Sequence, residues 1–188
     1  EVATAILIRV ADGLHAAHET CDEAGRLLDI VHRDVSPSNV LVSCGGAVRL
    51  IDFGIAKAQG RLHKTSFGRT KGKLRYMAPE QMRRNPVDRR ADIWALGVVL
   101  WETLATRRLY GSSGDLDVVR AALDGGIQPP GAYADVPFAV DRVVMRCLAV
   151  DPDQRPATAG ELARLLREAS PEAAAITDAE LGSLVWAV

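Results

Sequence analysis

The run Arg90 to Leu104 constrains this chain most, because Ile93, Trp94, Leu96, Gly97, Val98, Leu100, Trp101 and Leu104 cover nearly every face of a helix. A helix that is apolar all round is stable only when other elements wrap it, so this one is expected at the centre of a mainly helical lobe. Amphipathic runs on either side can do the wrapping. Val2, Ile6, Val10, Leu14 and His18 recur every four residues, widened by Leu7 and Ala11, as on a helix facing a core. Leu116, Val119, Ala122 and Leu123 mark another helix, closed by Gly125 and Gly126. From Phe138 to Val150, Val140, Val143, Val144, Cys147 and Leu148 face inward. Thr158 to Glu161 is a capping-box start for a helix to about Ala169, packed by Leu162, Leu165 and Leu166.

Composition narrows the class. The 188 residues, 48% hydrophobic and 25% charged with a net charge of −1, can bury a core as one domain and carry no basic excess for nucleic acid. The longest apolar stretch is broken by Glu102, so no membrane span is expected. Cys21, Cys44 and Cys147 are odd in number and lack CxxC spacing, which disfavours disulfides and zinc and points to a reducing cytoplasm. His15 and His18 lie on an apolar helix face and read as packed or rim histidines rather than metal ligands.

The chemistry sits between Ile30 and Ile55. Val40 to Val42 and Val48 to Ile51 are short β-type runs around Gly45 and Gly46, the pattern of a tight hairpin. That hairpin carries Asn39 and Asp52 to one end, with Asp34 just ahead. Phosphoryl transfer from ATP requires hard oxygen ligands for Mg²⁺ and an acceptor that directs the attacking hydroxyl. Two carboxylates and a carboxamide are the residue types for that task. For Asp34 alone the plainer reading is a turn-capping aspartate.

The motif order carries a resemblance. His32-Arg33-Asp34 is followed five residues after the aspartate by Asn39, thirteen residues later by Asp52-Phe53-Gly54, and 26 residues after Asp52 by Ala78-Pro79-Glu80. Asp92 with Trp94 and Gly97, then Asp151-Pro152 and Arg155-Pro156, complete the set. Together these resemble the eukaryotic-type Ser/Thr protein kinase family, in a bacterial-like form, from Glu1 to about Ala169. The resemblance implies an α+β, protein-kinase-like fold: the mainly helical C-terminal lobe with a short β-hairpin at the active-site edge. It implies Asp34 as catalytic base, Asn39 and Asp52 on Mg²⁺, and ATP as phosphoryl donor to protein hydroxyls. It also implies His32 as a structural residue beside Phe53 and Gly54, Asp92 as a scaffold for the loop of Asp34, and Glu80 paired with Arg155 across 75 residues. Arg33, directly before the base, is the family's mark of control by phosphorylation, because a buried guanidinium seeks a bidentate anion. The small lobe of the family, with its glycine-rich loop, lysine and glutamate, has no counterpart here. Glu1 already lies in a helical pattern, so the chain reads as the continuation of something upstream and as inactive in isolation.

One departure stands at the centre of the site. The family's lysine two residues after the base is Ser36 here, while Lys73 takes the place of the family's threonine in the segment before Ala78. Lys73 is read as restoring the lost positive charge near the transferring phosphate, making it a second catalytic residue; the alternative is a solvated lysine beside a weakened site. From Ile55 to Arg75 the chain is polar and basic and contains Thr65, Ser66 and Thr70. That is the pattern of an activation segment ordered by phosphorylation against Arg33, or of an unmodified surface loop. Residues 170–188 lie outside the resemblance. There Thr177 to Glu180 is another capping box, and Leu181, Leu184, Val185 and Val188 make a small apolar stripe, for docking on the lobe or for a partner.

Two functional classes remain: a Ser/Thr protein kinase, and a non-catalytic binding module or inactive fragment built on the same lobe. Intact Asp34, Asn39 and Asp52 favour the first. Small-molecule phosphotransferases share a catalytic and a metal-binding aspartate but not the elements around Pro79 and Trp94.

Overall fold

The computed structural model describes residues 1–53, 73–111 and 114–186. Gly54, Thr65, Ser66 and Thr70, and with them the expected activation segment up to residue 72, lie outside the described residues.

Helix α1 spans Val2–His18, strands β1 and β2 span Val40–Val42 and Val48–Leu50, and the short α2 spans Pro79–Met82. They are followed by α3 (Arg90–Leu104), α4 (Asp115–Asp124), α5 (Phe138–Cys147), α6 (Ala159–Ala169), α7 (Pro171–Ala175) and α8 (Asp178–Trp186). Helix α3 is the axis of the lobe: every residue from Ala91 to Glu102 is buried, as an all-round apolar helix requires. Helices α1, α5 and α6 pack on it, and α6 packs on both α1 and α5. The stripe of α1 is buried from Val10 through Leu14 to His18, while Val2 at its start is exposed. Helix α5 ends at Cys147, short of the Val150 expected from the sequence, because the chain turns at Leu148 toward the Pro152–Gln154 turn.

The strands form a two-stranded antiparallel sheet with Val40 opposite Leu50, Leu41 opposite Arg49 and Val42 opposite Val48. Val40, Val48 and Leu50 pack against the main core, and α1 lies against β2. Leu41 and Arg49 point away from it. In the tail, Leu181 is buried with Ala5 and Ala173, whereas Leu184 is 45% exposed. The expected apolar stripe is thus only partly a packing face. Helix α8 approaches so closely at Gly182 that the contact centres there, leaving Leu184 turned outward.

Candidate active site

Asp92, buried near the start of α3, organises the loop that carries Asp34. Its Oδ2 accepts the His32 N–H at 2.8 Å and its Oδ1 the Arg33 N–H at 2.7 Å. Arg33 stands at φ 63°, a left-handed conformation that is costly for a residue carrying a Cβ. The two charge-assisted bonds hold it there. His18, also buried, places its Nε2 2.9 Å from the same Asp92 Oδ2. From the sequence His18 is expected only as a packed or rim residue of α1; its position at the buried end of the helix stripe is the one local sign of this partnership.

His32 is fully buried and ties the loop to the hairpin. Its Nδ1 accepts the Asp34 N–H at 3.2 Å, so its Nε2 is the protonated nitrogen and donates to the Ile51 carbonyl at 3.0 Å. Its ring lies 4.5 Å from that of Phe53. Asn39 closes the same corner. Its Nδ2 donates to the Asp34 carbonyl at 2.8 Å, and its own carbonyl accepts the Ile51 N–H at 2.9 Å. With the amide nitrogen held by Asp34, Oδ1 is the Asn39 atom left for a cation. Asp52 follows Ile51 directly, exposed, with φ 59°.

This donor set fits Mg²⁺. The ion dehydrates reluctantly and is commonly held by one or two protein oxygens together with waters and substrate phosphates. Among the described residues no three His, Cys, Asp or Glu side chains gather into an all-protein metal cage. Asn39 Oδ1 and Asp52 are the oxygens that could supply the smaller set that a metal–nucleotide complex needs.

Lys73 belongs to a 3₁₀ turn, Lys73–Tyr76, and its Nζ forms an ion pair with Asp34 Oδ2. The lysine is 43% exposed and Asp34 only 13%, so the ammonium is the more solvent-accessible partner. Ser36, two residues past Asp34, is buried and shares a hydrogen bond with Ser38 at 3.0 Å. A small cleft of about 40 Å³ lies between Arg33, Asp34, Lys73, Tyr76 and Gln81. Among the described residues the Arg33 Nε is buried without a hydrogen-bond partner.

The turn that presents Lys73 is anchored from below. Tyr76 donates its hydroxyl to Glu102 Oε2 at 2.9 Å, and the same carboxylate accepts Arg108 Nη1 at 2.9 Å and the Leu109 N–H at 3.0 Å. Burial, and then the bond to Glu102, pushes the Tyr76 hydroxyl up to about 12. Sequence reading saw Glu102 only as an interruption of an apolar run. A carboxylate inside an otherwise apolar helix needs partners, and that was the available signal.

Glu80 and Arg155 meet as a bidentate pair at 2.8 and 2.9 Å, both buried. Thus the structure brings His32, Arg33, Asp34, Asn39, Asp52, Phe53, Lys73 and Asp92 into one corner and sets Glu80 with Arg155 as a separate anchor.

Comparison with known proteins accords with this geometry. Residues 1–166 match the family described as Protein kinase domain. The chain is 47% identical over 162 residues to the Tyrosine-protein kinase MasK of Myxococcus xanthus (strain DK1622), covering 86% of this chain and 25% of that protein. It is 38% identical over 168 residues to the Serine/threonine-protein kinase PknH of Mycobacterium tuberculosis (strain ATCC 25618 / H37Rv), covering 89% and 26%. With the Serine/threonine-protein kinase PknB of Mycolicibacterium smegmatis it shares 36% over 166 residues, covering 84% and 27%. The chain spans about a quarter of the length of these curated relatives. A match over most of its residues, on a helical lobe with the loop and hairpin in place, shows that this chain belongs to the protein kinase domain family.

Proposed function

We propose that this chain is the catalytic C-terminal lobe of an ATP-dependent protein kinase that phosphorylates serine or threonine hydroxyls of proteins. The observation that carries the reading is the convergence of Asp34, Asn39 and Asp52 at the open end of the hairpin, with the Lys73 ammonium on the Asp34 carboxylate.

ATP would supply the transferable γ-phosphoryl group, and Mg²⁺ would neutralise charge on it. Asp34 accepts the proton of the incoming hydroxyl and orients its oxygen. Asn39 Oδ1 and Asp52 would hold the metal. Lys73, released from Asp34 when substrate arrives, places its positive charge where the family's lysine is lost at Ser36. Arg33, whose Nε has no partner among the described residues, is the receptor for a phosphate on Thr65, Ser66 or Thr70. Use of ATP would fit a lobe that works in the cytoplasm. Among the described residues no helix is long and apolar enough to cross a membrane.

The hydroxyl preference rests on the loop after Asp34, which lacks the alanine- and arginine-rich form of tyrosine kinases, and on relatives named Ser/Thr kinases. The 47% identical relative named a tyrosine kinase makes tyrosine the competing acceptor. The test is phosphate incorporation from labelled ATP by the protein extended upstream, beside Asp34→Asn, followed by phosphoamino-acid analysis. Label on serine and threonine that vanishes in the Asp34→Asn control is the expected result. Label on tyrosine would reverse the preference. No label with an intact fold would favour a non-catalytic module.

A further inference from the structure

The tail, residues 170–188, lies beyond the stretch that matches the family, and the chemistry above makes no use of it. Its contact with the hairpin is nevertheless closely fitted. Gly46, at φ 83°, lies so near α8 that a Cβ there would come within 1.7 Å of the Asp178 carbonyl oxygen. On the other side, a Cβ on Gly182 would fall 2.5 Å from the Cys44 carbonyl oxygen and 3.0 Å from the Gly46 nitrogen. Two glycines on opposing surfaces, each needed for backbone to meet backbone, define one seat for α8.

The seat is fastened to the lobe at two further points. Leu181 is buried with Ala5 and Ala173, and Val48 of β2 packs against the same cluster. Arg9 of α1 donates from Nε to Asp178 Oδ1 at 3.0 Å and from Nη2 to the Ile176 carbonyl at 2.6 Å. Thr177 and Glu180 cap α8 reciprocally, and those bonds hold the Glu180 carboxyl below its ordinary range.

A two-stranded hairpin of three-residue strands is marginal in water and needs packing from outside. Here α1 supports β2, and α8 covers the turn. We propose that the tail is a positioning element of the phosphate site: α8, seated on the Cys44–Gly46 turn, holds the hairpin whose opposite end carries Asn39 and Asp52. This rests on the kinase reading for the roles of those two residues. The rungs between turn and site are few, so freedom at the turn is transmitted to the Ile51-to-Asn39 bond beside Asp52.

The test compares Gly182→Val with the unsubstituted protein, both extended upstream, by amide hydrogen exchange and by kinetics. Leu181→Ala serves as a milder variant should the valine prevent folding. The expected result is exchange of the Ile51 and strand amides faster by about tenfold with the α3 amides unchanged, and a several-fold higher KM for Mg-ATP with kcat largely kept. Hairpin amides that keep their rate would overturn the proposal. So would hairpin and α3 amides that accelerate together, since that is a global loss of stability. Absence of phosphoryl transfer in the unsubstituted protein would sink the kinase reading alone, because the exchange comparison still decides whether α8 holds the hairpin.

Discussion

All five N–H donors of Arg155 are engaged: two on Glu80, and one each on the carbonyls of Ala149, Arg90 and Val150. Its guanidinium also lies 5.1 Å from the Trp94 ring centre. Removing one side of such a buried pair leaves an uncompensated charge, so Arg155→Met is expected to cost about 3–5 kcal/mol, read from urea unfolding midpoints. A loss below about 1 kcal/mol would mean that water reaches Glu80. Lys73 is a matter of charge rather than stability. Lys73→Met in the upstream-extended protein should lower kcat about 10²–10³-fold, the scale of losing one fixed group at developing charge. The double variant Ser36→Lys with Lys73→Thr should recover most of that, since the charge returns to the site from the other side. Normal turnover by Lys73→Met would remove the role. At this scale the sequence displays residue types, and the ordered spacing of Asp34, Asn39 and Asp52 is visible in it, while their roles come from the family resemblance. His18 on Asp92 and Tyr76 on Glu102 are not visible there, because pairs separated by 74 and 26 residues leave no local periodicity.

Helix α3 crosses α5 at Gly97, where an added Cβ would come 2.6 Å from the Cβ of Cys147. That neighbour is fixed to the α5 backbone and cannot rotate away. Overpacking costs about 1–3 kcal/mol, against a helix-propensity gain for alanine over glycine of about 1 kcal/mol. Gly97→Ala is therefore expected to destabilise, read as a lower unfolding midpoint; a higher midpoint would show that the two helices can separate at little cost. At the start of α6, Thr158 accepts the Glu161 N–H at 3.0 Å, and Thr158→Ala should cost about 1 kcal/mol. The returning bond of Glu161 goes to the Ala157 N–H, one residue before the position the sequence motif implies. Helix identity and the hairpin were legible here because apolar period and turn glycines are local signals. Which face of α8 would pack was not, since Gly182 contributes no hydrophobic signal and is selected by the surface it meets.

The molecule as a whole responds to alkali through its buried neutral acids. Burial pushes the Cys147 thiol from 9.0 up to about 12, and burial with Glu102 pushes Tyr76 from 10.0 up to about 12. Tyr110 is raised in the same direction, by burial first. In each case the folded state keeps a proton that the unfolded chain has released. Stability is therefore fully present below about pH 9 and declines as pH rises toward about 12. Urea unfolding between pH 7.5 and 11 should show that decline, shallower in Tyr76→Phe. In the same sense the native protein should alkylate at exposed Cys21 and Cys44 at pH 8 and spare buried Cys147 until it unfolds.

By itself the sequence determined the helical lobe, its central helix, the hairpin and the set of residue types that phosphoryl transfer demands, because periodicity, turn residues and motif spacing act over short stretches of chain. Tertiary structure decided that the Lys73 ammonium sits on Asp34 itself, that His18 joins the loop amides of His32 and Arg33 on Asp92, and that the docked tail seats on the turn between the strands. Those contacts join segments far apart in the chain. Their energies depend on burial and on the fit of backbone to backbone, and neither exists before the lobe has closed.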